Sequence, residues 1–330
     1  MQYFCTLFDS HYLSRGLVMY ESLRLCAKEF HLYIFPFDAR SLKILRELNL
    51  DHVTLISLKE FENEDMLHVK PTRSKGEYCW TCTPYAIQYA LEKFDLPQCT
   101  YLDADLCFYG DPGILLNEMG EASILITEHR YTPEYDQSVT SGIYCVQFLS
   151  IKNDMFGLEA LHWWRDRCLE WCYGRVEDGK FGDQKYLDDW TTRFRGVHVL
   201  RHIGGGVAPW NVQQYELTRN KAKQWRLNSP LSEPVPLIFY HFHYVRFLDE
   251  KFVDISPYRL DLNNVLLLYA NYIRRLHTAN RLLAKYDLAQ PQQEYQETRM
   301  WLAPWDKIKR IWRGTYNVFD QHKFIDRWQD

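Results

Sequence analysis

The N-terminal third of the chain alternates between strand-like and helix-like segments. Short apolar runs of the kind that form strands occupy residues 2–8, 31–37, 53–58 and 100–109. Between them, apolar side chains recur every three or four residues, which is the helical period. Parallel strands joined by crossover helices produce this alternation, so the sequence predicts an α/β fold with a mostly parallel sheet. Ligands of such sheets bind beyond the carboxyl ends of the strands, where we expect Asp9, Asp103 and Asp105 to meet.

The rest of the chain has a mixed pattern that becomes helical toward the C-terminus. Strands are predicted near 122–128, 142–149, 196–202 and 236–243, with a long helix at about 154–173. Helical spacing resumes at Pro257 and continues to about residue 287, where a polar linker follows. We therefore expect one α/β domain over residues 1–256 and a helical C-terminal extension over 257–330.

Composition excludes several classes of protein. The chain of 330 residues is 46% apolar and 25% charged, which is the balance of a soluble globular protein. Its 39 basic and 43 acidic residues give a net charge of −4, which argues against a general nucleic-acid binder. No apolar run is long enough to span a membrane, and no basic stretch precedes an apolar run near Met1. We therefore expect a cytoplasmic protein without a membrane span or an export signal.

The nine cysteines are scattered, and most lie in apolar strings. Cys79 and Cys82 have the spacing of a zinc-ligand pair, and Cys168 and Cys172 lie four apart on a predicted helix. The second pair lacks the usual two-residue gap, so we favour reduced structural thiols over a zinc site or disulfides.

The strongest chemical signal is the segment 101–112, in which Asp103 and Asp105 flank Ala104 inside an apolar strand. Two carboxylates buried there without partners would be costly. At the end of the strand they could bind a divalent cation, which in turn could bind a diphosphate. The alternative is a turn with two solvated aspartates.

At this segment the sequence resembles a known family. Asp103-Ala104-Asp105, following a four-strand α/β half, resembles the D-x-D motif of GT-A nucleotide-sugar glycosyltransferases. Three later segments resemble the retaining family 8 branch in the same chain order: Ser141-Gly142 with the strand after it, Gly182-Asp183-Gln184, and the strand 239–243 that ends in His-Phe-His. The resemblance covers residues 1 to about 245 and implies a GT-A, Rossmann-like mixed sheet flanked by helices.

The resemblance implies roles for two of these segments. It implies that Ser141 and Gly142 lie along the donor sugar, with Thr140 standing where the family has Asn. It implies that Asp183 and Gln184 are the catalytic candidates, because the aspartate of this motif lies near the anomeric carbon. Asp183 also precedes a predicted helix, so a purely structural role as an N-cap is the alternative.

The metal site implied by the resemblance joins Asp103 and Asp105 to His241. Two carboxylates and an imidazole suit Mn²⁺ or Mg²⁺ better than zinc. His241 and His243 share one face of their predicted strand, so the choice between them stays open. The family has a lysine for the diphosphate after the late histidine, and Arg246 is the candidate for its place here.

Other residues are predicted to bind the nucleotide sugar from their position. Asp9 and Tyr12 follow the first strand, where GT-A enzymes bind the base and ribose, although a turn and a core aromatic would look the same. Arg73 and Lys75 could reach the diphosphate, or they could be ordinary solvated loop residues.

A glycine-rich stretch at 204–206 leads to Trp210 and Asn211. No Gly-Lys-Ser/Thr follows, so the stretch is not a phosphate loop. We predict a loop that ends in an aromatic platform for a sugar, and the alternative is a tight loop anchored by a buried tryptophan.

The resemblance therefore implies a metal-dependent, retaining glycosyltransferase that moves a sugar from a UDP-sugar to a saccharide or lipid-linked acceptor. Cytoplasmic assembly of surface polysaccharide or lipopolysaccharide is the implied setting. A sugar nucleotidyltransferase is the first alternative, but 9–16 contains too little glycine to cradle a triphosphate. The second alternative is a carbohydrate-binding relative without catalytic activity.

The C-terminal tail contains one amphipathic segment, at 301–313. Aromatic and apolar residues recur on one side of it, at Trp301, Trp305, Ile308 and Trp312. Cations occupy the rest, at Lys307, Lys309, Arg310 and Arg313. This pattern suits a helix that lies on the anionic inner face of the cell membrane, and equally a helix that packs its tryptophans on the domain.

Overall fold

The computed structural model describes residues 1–229, 232–260, 262–286 and 302–328. Its centre is a seven-stranded sheet, and a short strand β5 (Leu106–Phe108) lies outside that sheet. The seven strands are β1 (Gln2–Phe8), β2 (Phe30–Pro36), β3 (Val53–Leu55), β4 (Gln98–Leu102), β6 (Ile124–Glu128), β7 (Tyr144–Lys152) and β8 (Val197–Val199).

The strands lie in the order β3-β2-β1-β4-β7-β6-β8. The first half is parallel, as the alternating sequence pattern predicts: β1 pairs with β2 and β4, and β2 pairs with β3. Strand β7 runs antiparallel to both β4 and β6, which makes the whole sheet mixed. The predicted α/β class, a mixed sheet flanked by helices, is confirmed.

Helices cover both faces of this sheet. In chain order they are α1 (Leu13–Cys26), α2 (Ala39–Leu48), α3 (Leu58–Phe61), α4 (Glu64–Val69), α5 (Lys75–Lys93), α6 (Gly113–Met119), α7 (Ser138–Ser141), α8 (Met155–Glu170), α9 (Trp190–Arg193), α10 (Asn263–Leu283), α11 (Pro304–Trp312) and α12 (Gln321–Arg327). Alternate residues of β1 enter different cores: Phe4 packs with α1 and α10, and Cys5 with α5 and α8. Both faces of the sheet are therefore buried, as parallel sheets require.

The described residues also form three small sheets. Strand β12 (Phe239–His241) pairs antiparallel with β5, and this pairing sets His241 opposite Leu106. Strands β9 (Glu216–Arg219), β10 (Trp225–Ser229) and β11 (Ser232–Pro236) form a second sheet, and β13 (Arg246–Phe247), β14 (Phe252–Asp254) and β15 (Val318–Asp320) a third. The β5–β12 pair positions the site, because it brings the chain after His241 back to the end of β4.

The described residues of the predicted C-terminal extension pack directly on the α/β domain. Helix α10 shares a hydrophobic core with α1, and β15 pairs with β14. The division at residue 256 stays a prediction, and the structure shows a continuous core across it. Within the described ranges, no helix is both long and apolar enough to cross a membrane.

Candidate active site

Asp103 and Asp105 lie in the turn between β4 and β5, at the carboxyl end of the central strand. Backbone hydrogen bonds fix the turn on two sides. The Asp103 N–H donates to the Gln147 carbonyl (3.1 Å), and the Phe242 N–H donates to the Asp105 carbonyl (3.0 Å). The Leu106 N–H closes the turn onto the Asp103 carbonyl (3.3 Å). The two carboxylates are therefore held by strands β7 and β12, which are distant in sequence.

His241 lies directly against both carboxylates. Its Nε2 is 3.0 Å from Asp105 Oδ1 and 3.8 Å from Asp103 Oδ2, and the residue is 5% exposed. Burial opposes charge on this imidazole, but Asp105 outweighs it and raises the pKa of His241 well above its usual range. Burial likewise opposes charge on Asp105, yet His241 lowers the pKa of that carboxyl to about 2. Burial and the Asp105 charge raise the pKa of Asp103 to about 6, against the attraction of His241.

Gln147 on β7 orients the other side of this imidazole. Its Oε1 lies 2.8 Å from His241 Nδ1, so it accepts the Nδ1 proton and leaves Nε2 facing the aspartates. Gln147 is fully buried, and its Nε2 has no hydrogen-bond partner among the described residues. Sequence analysis missed this residue, because a glutamine inside a β-rich apolar run carries no signal of its orientation.

The cluster offers two overlapping sets of metal donors. One consists of Asp105, His241 and His243, and the other of Asp103, Cys145 and His241; within each, the ligand atoms lie within 4.8 Å of one another. The first set, with Asp103 close by, offers two carboxylates and two imidazoles, and its carboxylate oxygens fit the Mn²⁺ or Mg²⁺ expected from the sequence. His243 thus joins His241 in the cluster.

Asp183 lies within electrostatic reach of Asp103 in this cluster. It is 6% exposed, and burial together with the Asp103 charge raises the pKa of its carboxyl to about 7. Gly182 precedes it with φ +53, a left-handed conformation that favours glycine, and Trp164 Nε1 donates to the Asp183 carbonyl (2.9 Å). Asp183 precedes the described 3₁₀ turn Gln184–Leu187. Hydrogen bonds from the Thr83 side chain and the Gln184 backbone favour the charged form of its carboxyl, so the structural alternative stands beside the catalytic one.

The predicted donor-sugar segment, Ser141 and Gly142, is hydrogen-bonded to the turn that follows Asp183. Gln184 Nε2 donates to the Ser141 carbonyl (2.7 Å), and Lys185 Nζ donates to the Ser138 carbonyl (2.7 Å). Gly142 has φ +102, and a Cβ there would lie only 3.0 Å from a carboxylate oxygen of Asp188. The structure thus brings Ser141, Gly142, Asp183 and Gln184 together, with the Gln184 side chain holding the segment in place.

Tyr12 and two arginines flank the cluster on the side of α1. Tyr12 is 46% exposed, and its phenol lies within electrostatic reach of Asp105, Arg15 and Asp103. The Arg15 guanidinium lies 4.8 Å from the Tyr12 ring and also donates to the Val245 carbonyl (2.9 Å). Arg246 is exposed, stacks 4.1 Å over Tyr244, and acts electrostatically on Tyr12. Arg15 was missed, because only the fold brings this helical residue beside the strand end.

Asp9 is engaged locally. Its carboxylate accepts from the His11 N–H (3.0 Å) and lies 3.1 Å from His11 Nδ1. It remains a candidate for the ribose, with His11 as its partner. Arg73 stacks 3.9 Å over Tyr173 and donates to the Leu169 carbonyl (3.2 Å).

Lys75 is the exposed first residue of α5. Neither Arg73 nor Lys75 belongs to the donor sets that the described residues form around His241. Their role at a diphosphate stays a prediction without a contact that supports it.

Trp210 and Asn211 differ from the expected sugar platform. Trp210 is only 5% exposed, donates through Nε1 to the His129 carbonyl (3.0 Å), and sets its ring edge-on to His241, 5.4 Å between centroids. Asn211 is fully buried, and its amide bonds the carbonyls of His129 and Gly206. The alternative of a buried, anchored loop describes them better, because neither presents an open face to a ligand.

All nine cysteines lie within the described ranges and are free thiols. Cys168 contacts Cys172, and burial raises the pKa of Cys168 well above its usual range. A buried thiol of this kind behaves as a small apolar side chain.

The fold and this cluster define an α/β protein with a candidate metal centre at the carboxyl edge of its sheet. The chain is 30% identical to the uncharacterized protein YfnD of Bacillus subtilis strain 168, over 83% of this chain and 88% of YfnD. It is also 30% identical to the uncharacterized protein YfnF of the same strain, over 89% of this chain and 90% of YfnF. The chain belongs to the family of these two proteins. No family model matches it.

Two solved structures share part of the architecture. Mouse xyloside xylosyltransferase 1 is 13% identical with a TM-score of 0.46, over 74% of this chain and 98% of that chain. An active-site mutant of LgtC is 12% identical with a TM-score of 0.45, over 75% and 89% of the two chains.

Proposed function

We propose that the protein is a metal-dependent glycosyltransferase that moves a sugar from a UDP-sugar to a saccharide or lipid-linked acceptor. One observation carries the proposal. Two aspartates and two histidines converge at the strand ends, and they face a buried carboxyl, Asp183, whose pKa is about 7. Perturbed carboxyls that face a set of metal donors in a cleft are typical of an active site.

In this proposal, different residues bind different parts of the donor. Asp103, Asp105 and His241, with His243, would hold Mn²⁺ or Mg²⁺, and the ion would supply Lewis-acid stabilisation of the departing diphosphate. Tyr12 offers an exposed aromatic face for the base. Arg246, for which the family has a lysine, adds a positive charge at the same side of the cleft.

Asp183 and the segment of Ser141 and Gly142 would contact the sugar. The backbone of Ser141 and Gly142 lies along the donor sugar in this proposal, held there by Gln184. Asp183, next to them, stabilises the oxocarbenium-like state or accepts a hydrogen bond from the acceptor hydroxyl. Retention of the anomeric configuration follows from the resemblance to family 8.

The experiment is nucleotide release from a panel of nucleotide sugars, with Mn²⁺, with Mg²⁺ and with excess chelator. We expect release from one UDP-sugar that requires the metal and disappears in Asp105→Asn. Asp95→Asn is the matched control, because it makes the same change at an exposed position with φ +49, a conformation that asparagine tolerates. Release that survives chelation, or that is lost equally in both variants, would contradict the proposal.

We also propose that helix α11 docks the enzyme on an anionic membrane surface, near a lipid-linked acceptor. Trp301 lies outside the described residues. The remaining apolar positions face outward: Trp305 is 76% exposed, Ile308 56%, Ile311 55% and Trp312 86%. The tryptophans therefore do not pack on the domain, and Lys307, Lys309 and Arg313 border them. An apolar face bordered by cations suits anionic lipid.

Vesicle co-sedimentation tests this docking. We expect the full chain to sediment with anionic vesicles at low salt, and the double variant Trp305→Ser/Trp312→Ser to stay in the supernatant. A matched control is Leu25→Ser/Leu67→Ser, which removes two other exposed apolar side chains. Equal sedimentation of the two double variants would reject the membrane role of α11, and retention of the binding at high salt would reject its electrostatic part.

A further inference from the structure

Cys145 lies inside the cleft and has no part in the mechanism proposed above. It precedes Gln147 by two residues on β7, so the two side chains point to the same face of the strand. It is 4% exposed, and its thiol contacts the His241 imidazole. The Cys145 sulfur, a carboxylate oxygen of Asp103 and a ring nitrogen of His241 lie within 4.8 Å of one another.

We propose that Asp103, Cys145 and His241 form a second metal-binding set, which takes Zn²⁺ or another thiophilic divalent ion. Thiolate, imidazole and carboxylate are the three donor types that zinc binds in proteins. Mn²⁺ and Mg²⁺ prefer oxygen and gain little from sulfur. Donors around tetrahedral zinc stand about 3.5 Å apart, so a closure of roughly 1 Å brings these side chains into place.

The balance of charge in the complex also favours a divalent thiophilic ion. The Asp103 carboxylate and the Cys145 thiolate together cancel the two positive charges of the ion, and the imidazole binds in its neutral form. The thiol and the imidazole release their protons to solvent as the sulfur–metal and nitrogen–metal bonds form. A neutral complex suits this pocket, because an uncompensated charge in a buried site is costly.

The two donor sets exclude each other because they share His241. Gln147 occupies His241 Nδ1, which leaves Nε2 as the one nitrogen of this ring that can bind an ion. A zinc ion held with Cys145 therefore displaces the ion held with Asp105 and His243. This inhibitory consequence rests on the proposed function, whereas the zinc site itself does not.

The test uses metal binding by the full chain rather than turnover. Co²⁺ replaces Zn²⁺ and gives an ultraviolet sulfur-to-metal charge-transfer band only when a thiolate binds it. We expect the band in the wild type, its loss in Cys145→Ala, and its retention in Cys99→Ala, which removes another fully buried thiol. Zn²⁺ affinity should fall in Cys145→Ala by at least roughly 100-fold. The loss of an outer-shell partner can already cost that much, and Cys145 would be a direct ligand. Mn²⁺ affinity, measured by electron paramagnetic resonance, should stay unchanged.

Two results would overturn the inference. One is Co²⁺ bound to the wild type without a sulfur band, a measurement that needs no variant to fold. The other is a band that persists in Cys145→Ala, provided that its melting temperature shows a folded protein. A sulfur band in a protein that releases no nucleotide from any sugar donor would reject the proposed function and leave the zinc site standing. Zn²⁺ that fails to displace bound Mn²⁺ would reject the shared-histidine argument.

Discussion

The molecule buries charge in two places, and the two differ in how completely the charge is compensated. In the tail, Arg310 of α11 meets Asp254 of β14, which is 1% exposed. Arg310 Nη2 donates to Asp254 Oδ1 (2.8 Å), and Arg310 Nη1 donates to Oδ2 of the same carboxylate (2.5 Å). Arg310 Nε donates to the Thr315 carbonyl (2.9 Å), and Nη2 also donates to the Ser256 carbonyl (2.6 Å). Every N–H named here has an acceptor, as a structural ion pair requires.

The cleft is arranged in the opposite way. Asp103 and Asp105 lie against one imidazole, the Asp103 charge acts on Asp183, and the pKa values of Asp103 and Asp183 rise to about 6 and about 7. Ionised Asp103 and Asp183 therefore cost the fold stability at neutral pH, and perturbed carboxyls of this kind are typical of functional sites. The tail cluster is compensated within the fold, whereas the cleft cluster fits the metal site proposed above.

The largest expected effect is the loss of activity on removing Asp105. Asp105→Ala should lower nucleotide release by at least about 1000-fold, because Lewis-acid stabilisation contributes several kcal/mol and each tenfold costs about 1.4 kcal/mol. The melting temperature should fall, because the substitution removes the carboxylate that stabilises the charged His241 imidazole, so release is compared at a temperature where both proteins stay folded. Release kinetics and thermal unfolding are measured on the same preparations. A destabilised protein with normal turnover would mean that the Asp103–Asp105 cluster is structural, like the Arg310–Asp254 pair of the tail.

The second prediction concerns the tail. Arg310→Met leaves the Asp254 carboxylate buried without its partner, which should lower the free energy of unfolding by about 3–5 kcal/mol. Arg313→Met, an exposed cation of the same tail, should change it by less than about 0.5 kcal/mol. Urea unfolding measures both. The double variant Asp254→Leu/Arg310→Met should regain most of the stability, because it removes both charges. Equal effects of the two single variants would show that the pair does not anchor the tail.

The contrast also explains which features sequence alone could reveal. Strands β1, β2 and β3 follow from local periodicity, whereas the predicted strand at 100–109 is wrong in one respect, because a turn at Asp103–Asp105 divides it into β4 and β5. Gln147 and Cys145 could not be found, because their direction depends on the antiparallel pairing of β7 with β4. Arg310 was assigned to a lipid-facing set of cations, since its partner lies 56 residues away along the chain.

The sequence alone could not decide whether Trp210 is buried, for a related reason. Its environment combines His129, Tyr131 and His241, from three separate segments. A sequence window contains the tryptophan but not these neighbours, so a platform and an anchor look alike. Contacts between distant segments decide such cases.

A third prediction tests how the cleft keeps its metal ligand oriented. Gln147→Leu has a similar shape but accepts no proton from His241 Nδ1, so Mn²⁺ affinity should fall by about 10- to 100-fold. Gln147→Glu should retain the affinity, because its carboxylate still accepts that proton. Mn²⁺ binding by electron paramagnetic resonance gives both values. Equal affinities of the leucine variant and the wild type would mean that Gln147 only fills space.

The last prediction is a pH-dependent gain in stability on neutralising Asp183. The carboxyl titrates near pH 7 in the folded protein and near its ordinary value of 3.8 when unfolded. Between these values the folded state binds more protons than the unfolded state, so Asp183 destabilises the fold increasingly as the pH rises from about 4 to about 7. Asp183→Asn removes this effect. Its melting temperature in chelator should match the wild type at pH 4 and exceed it at pH 8, while kcat falls and the affinity for the donor holds. A variant that is less stable than the wild type at pH 8 with normal kcat would make Asp183 structural, and the cleft would then resemble the tail.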